Sequence, residues 1–61
     1  MSIRLIALEI YRLMREADKL SAQIEQAPLM ARARLEERLR VVQAELNAMR
    51  RALAGAIEKK D

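Results

Sequence analysis

Three hydroxyl side chains, Ser2, Tyr11 and Ser21, are the only oxygen nucleophiles of their kind in the 61-residue chain, and there is no histidine to take a proton from any of them. A hydroxyl without an adjacent base is a weak nucleophile at neutral pH. The chain has no cysteine, which removes thiolate chemistry, disulfides and thiolate metal sites together. The missing histidine also takes away the commonest transition-metal ligand. Glu36 and Glu37 are the most obvious carboxylate pair. Consecutive residues on a helix point in different directions, so these two do not converge on one substrate atom. A di-metal bundle needs inward-facing Glu and Glu-x-x-His, whereas the inward positions derived below are apolar. With one glycine, Gly55, there is no loop to cradle a phosphate. The residue types therefore point away from an enzyme, and no cofactor or metal is expected.

What the chain does supply is cations. Lys and Arg number 12 against 9 acidic residues, for a net charge of +3. The first half, through Ala27, balances its charges, and the surplus lies beyond Pro28. Arg12, Arg15 and Lys19 recur at helical spacing on the outer face of a first helix. Arg34 and Arg38, with Arg32 and Arg40, cluster at the start of a second. Doubled in a dimer, such stripes could follow a phosphate backbone. Glu16, Asp18, Glu36 and Glu37 dilute both clusters, and Tyr11 is the only aromatic side chain available to stack on a base. Nucleic-acid binders usually carry a denser field. Phosphate contacts by Arg12, Arg15, Lys19, Arg34 and Arg38 are therefore the alternative functional expectation.

The elements that carry these side chains are readable from composition and spacing. Ala, Leu, Arg and Glu dominate, and all favour helix. Ile3, Ile6, Ile10, Leu13, Ala17, Leu20 and Ile24 repeat at alternating steps of three and four, the coiled-coil spacing. Leu35, Leu39, Val42, Leu46, Met49, Leu53 and Ala56 do the same. The two series mirror each other about a point between Leu29 and Met30: Ile3 falls opposite Ala56, Ile10 opposite Met49, Ile24 opposite Leu35. This predicts an all-α fold, an antiparallel two-helix hairpin with helix one over about 2–26 and helix two over about 29–59.

Pro28 decides where the chain turns. Proline inside a helix costs about 3 kcal/mol and pushes the preceding residue toward extended angles. It is tolerated at the first position of a new helix, so residues 26–28 read as a tight turn with Pro28 opening helix two. The turn lacks the Gly, Asn, Asp or Ser that usually closes one helix and caps the next. A second architecture therefore stays open. From Ile24 to Leu35 the seam skips one heptad plus four residues, a stutter that one long helix tolerates. Such a helix would pair antiparallel with a second copy in the same register.

Several apolar residues lie outside the seam. Leu5, Leu8 and Tyr11 sit off the stripe of helix one, with Met1 one turn earlier and Met14 at its flank. On helix two, Val41, Ala44, Ala48, Ala52 and Gly55 form a second stripe of mostly small residues, with Ile57 beside its end. An apolar patch on a charged small protein marks an interface. A 61-residue hairpin has one thin seam and usually needs a partner to complete its core. Leu5, Leu8, Tyr11, Met14, Val41, Ala48 and Ile57 are thus the expected partner interface, and two hairpins are expected to pair as a four-helix bundle.

Location is expected to be cytoplasmic. No secretory signal is visible, because Glu9 and Arg12 interrupt the apolar opening, and no stretch is long enough to span a bilayer. The apolar face of residues 1–14 with Arg4 and Arg12 could lie at a membrane surface, but the seam accounts for those residues. In length, composition and helical pattern the chain resembles two groups of short bacterial helical hairpins. One is the plasmid-borne RNA-binding hairpins that dimerise into four-helix bundles. The other is the small co-chaperones of type III secretion. The likeness implies a non-enzymatic scaffold or co-chaperone that homodimerises or holds a helical protein partner, or else a small dimeric RNA/DNA-binding hairpin.

Overall fold

The computed structural model describes residues 2–58. Two helices fill this span, α1 (Ile3–Gln26) and α2 (Leu29–Glu58). They pack against each other along their length, with no strand among the described residues. The proposed last turn of helix two at Lys59, and the place given to Met1, lie outside the described residues.

The chain reverses over Ala27 and Pro28 alone. Ala27 is extended (φ −80°, ψ 145°), the conformation imposed on a residue that precedes proline. Its N–H donates to the Ile24 carbonyl at 3.3 Å and closes α1. Helix α2 begins at Leu29 as expected, but Pro28 caps it rather than opening it as its first residue. Its carbonyl accepts the N–H groups of Ala31 and Arg32, both at 3.0 Å, and the second of these is the first helical bond. A cap residue needs no N–H of its own, so proline fits there without loss. No residue of the turn has a positive φ, which explains how the reversal works without glycine or asparagine. Ser2 precedes α1, and its carbonyl accepts the Ile6 N–H at 3.0 Å, while its hydroxyl caps nothing.

The mirrored series becomes the core. Ile6, Leu13, Leu20, Val42 and Leu46 are buried, and Ile10, Ala17, Leu35, Leu39 and Met49 pack partly buried against this cluster. The other four seam residues, Ile3, Ile24, Leu53 and Ala56, are partly buried as well. Outside the seam only Glu9, Glu16, Ala27 and Gly55 are less than exposed among the described residues whose burial is defined. The alternation at three and four residues therefore states almost the entire inside of the molecule. The pairing is intramolecular, and the long-helix alternative does not describe this chain.

The hairpin is a rod of 50 × 14 × 13 Å with a radius of gyration of 14.3 Å. A compact 61-residue domain has a radius of gyration near 10–11 Å. None of its described helices is long and apolar enough to cross a membrane.

Candidate interaction surface

The seam divides the outer surface into two sides, and one ion pair labels them. Arg38 Nη2 of α2 reaches Glu16 Oε2 of α1 at 3.7 Å. Glu9 lies one heptad before Glu16 and so shares its side of α1, and Arg12 Nη1 donates to Glu9 Oε1 at 3.4 Å. Three shallow grooves run along this side. The first is lined by Leu5, Leu8, Glu9 and Arg12 with Ile6 and Met49 of the seam. The second carries Arg34, Val41 and Glu45 beside the Glu16–Arg38 pair. The third gathers Arg15, Lys19 and Gln23 around the same pair.

This geometry sorts the expected interface residues. Leu5 is 63% exposed, Leu8 56% and Tyr11 55%, and Met14, Val41 and Ile57 are also exposed. Leu5, Leu8, Tyr11 and Met14 are each three residues apart, and each step of three turns about 60° backward around a helix. The four therefore wind about 180° around α1 rather than forming one flat patch. Leu5 and Val41 belong to the side with the grooves, and Ala48, one heptad after Val41, continues its row. Leu8 lies on the outermost line of α1. Tyr11, Met14 and Ile57 flank the opposite side and line none of the three grooves.

Tyr11 already has company. The Arg15 guanidinium carbon lies 5.7 Å from its ring centroid, and Arg15 Nη1 donates to its hydroxyl at 3.3 Å. This contact holds one of the expected phosphate-binding cations over the one aromatic ring. The other cations are brought together more than the sequence suggests. Arg15 and Lys19 from α1 share a groove with Arg38 from α2, and Arg34 lines the adjoining one. Glu16, Glu37 and Glu45 line the same two grooves, so four cations stand among three carboxylates. Arg12 is set apart by its pairing with Glu9.

Within α2, Arg40 pairs with Glu37 at 3.0 Å. The helical pairings Glu36–Arg40 and Glu16–Lys19, equally allowed by spacing, are not made. Arg40 takes Glu37 and Glu16 takes Arg38 instead.

Two exposed apolar residues escape the sequence analysis: Leu29 at 81% and Met30 at 93% exposure, at the tip of the hairpin. Their signal was present, since both fall in the gap between Ile24 and Leu35 where the seam has no position for them. Gly55 lies in the row of Val41 and Ala48, and a Cβ built on it meets nothing within 4 Å. No packing inside the hairpin requires glycine there. No group of three or more Asp or Glu side chains among the described residues is arranged to hold a metal ion. No family model matches the chain, and neither a curated protein nor a solved structure matches it.

Proposed function

We propose that this chain is a non-enzymatic helical assembly module, acting in the cytoplasm as a scaffold or co-chaperone, whose outer apolar residues complete a core by association. The observation that carries the reading is the mismatch between inside and outside. Only five described side chains are buried, while Leu5, Leu8, Tyr11, Met14, Val41 and Ile57 are large, apolar and exposed. A hairpin that fully buries only five side chains and leaves six large apolar ones exposed gains stability from any helical surface that covers them. The test is thermal unfolding over a hundredfold range of chain concentration. Association predicts a midpoint that rises with concentration, because binding of the folded state stabilises it by mass action. The double variant Leu5→Glu/Leu8→Glu lowers the midpoint and flattens the dependence. A high midpoint that ignores both concentration and the double variant overturns the reading.

One observation favours a second reading, a small dimeric RNA- or DNA-binding hairpin. The fold gathers Arg15, Lys19, Arg34 and Arg38, drawn from both helices, at the turn end of one side. Their carboxylate neighbours weigh against a strong field. A fluorescence titration with RNA and with duplex DNA at low salt separates the readings. Phosphate binding weakens steeply with salt and with Arg34→Glu, whereas an apolar interface is indifferent to both.

A further inference from the structure

We infer that the occupant of the exposed surface is a second copy of this chain, seated antiparallel on the side that carries Leu5, Glu9 and Arg12 of α1 and Val41, Ala48 and Gly55 of α2. The inference rests on the assembly reading above and gives it a partner and a face.

Surface area sets the size of what is missing. The chain exposes 5229 Å². A compact monomer of 7.0 kDa exposes about 4,000 Å². The excess, about 1,200 Å², is larger than the roughly 800 Å² that each partner buries in a standard protein interface. Laying one such 50 Å rod along a copy of itself removes part of that excess.

The chosen face is complementary to itself. Val41, Ala48 and Gly55 are spaced seven apart, so their row is symmetric about Ala48. A two-fold axis passing beside Ala48 sets α2 antiparallel against its copy and brings Val41 onto Gly55 of the second chain, twice. A Cβ built on Gly55 meets nothing of its own hairpin within 4 Å, so the space beside it can receive a side chain from the second chain. The mirror register of the seam puts Ala48 level with the gap between Glu9 and Arg12 on α1. The same axis therefore sets Glu9 of one chain opposite Arg12 of the other, again twice. The apolar row on α2 and the charges on α1, which also pair within each chain at 3.4 Å, are both compatible with this one axis. The opposite side carries Tyr11, Met14 and Ile57, but there the middle of α2 presents Gln43, Asn47 and Arg50 in place of a row of small residues. In this arrangement Arg34 extends beyond the overlap, and Arg15 and Lys19 fall opposite positions 6 and 2 of the second chain, neither of which is basic.

The absence of native cysteine makes a direct test possible. Ala48→Cys and Asn47→Cys place a thiol at the same height on different sides of α2. Each variant is checked for unchanged helicity, sedimented, and then exposed to a mild oxidant. A disulfide forms readily only where the two Cα atoms come within about 7 Å. The inference predicts a species of twice the chain mass for both reduced variants, and disulfide capture at least tenfold faster for Ala48→Cys than for Asn47→Cys. A dimer in which Asn47→Cys is captured as fast or faster overturns the face and the axis while leaving the assembly reading intact. A folded monomer at about 50 µM chain, a concentration at which mass action populates a functional dimer, overturns the second copy as the occupant. The assembly reading then stands or falls on a different helical partner.

Discussion

Glu16 and Arg38 meet across the seam at 3.7 Å, the one ion pair between α1 and α2 among the described residues. The two positions flank the apolar stripes on the same side, so the contact reports the antiparallel register. Its energy is small. The side chains are 43% and 68% exposed, and exposed pairs of this kind contribute about 0.2–1 kcal/mol. A double-mutant cycle with Glu16→Gln and Arg38→Gln is expected to give a coupling in the lower half of that range, fading in high salt. Glu16 also lines a groove with Glu45, and that like charge offsets part of the attraction.

The seam carries the stability that this pair does not. Leu13 and Leu46 are buried in the central cluster. Replacing either with alanine is expected to cost about 2–4 kcal/mol, the range for a leucine lost from a packed core. In a hairpin with so few buried residues, a loss of that size leaves the chain largely unfolded. Circular dichroism at 222 nm reads this directly. Leu8→Ala, made on the outermost line of α1, costs little by the same measurement on dilute protein.

Gly55 offers the opposite sign. Glycine in a helix interior is about 1 kcal/mol less favourable than alanine, and a methyl group there meets nothing in its own chain. Gly55→Ala is expected to stabilise the hairpin by about 0.5–1 kcal/mol in denaturant unfolding of dilute protein. If Val41 of a second copy occupies that space, Gly55→Leu raises the dissociation constant at least tenfold while leaving the helix content of dilute protein unharmed. Equal association by wild type and Gly55→Leu would falsify that use of the space.

Pro28 holds the choice between two shapes. The seam register is satisfied equally by a hairpin and by one long helix paired antiparallel with its copy, and only the break at Ala27–Pro28 separates them. Pro28→Ala removes the constraint on Ala27 and restores an N–H donor for a continuous helix. The variant is expected to populate a long-helix dimer. Small-angle scattering reads the change as a maximum dimension that grows from the 50 Å rod toward about 85 Å, the length of 57 residues in one helix. An unchanged profile would show that the intramolecular seam closes without help from proline.

The inside of this molecule was legible because coiled-coil spacing has few alternative meanings. Each of the fourteen seam residues is buried or partly buried, and the break falls at the only proline. The turn was less legible. Pro28 caps α2 with its carbonyl, a use of the backbone that no residue preference announces. The outside was read least well. Leu5, Leu8, Tyr11 and Met14 form a set in sequence, yet their spacing of three winds them around α1 onto both sides. The Glu16–Arg38 contact follows from the mirrored register, whereas the choice of Glu37 over Glu36 for Arg40 depends on rotamers, which spacing alone does not contain. Leu29 and Met30 lie where the seam has no period, so spacing assigns them no place.

The central claim is that the hairpin is completed by association with a second copy of itself, and sedimentation equilibrium of the unaltered protein tests it most directly. The account predicts a species near twice the 7.0 kDa chain mass at micromolar concentration, with helicity falling as dilution dissociates it. A fully helical species of single-chain mass, unchanged across the whole concentration range, would contradict it.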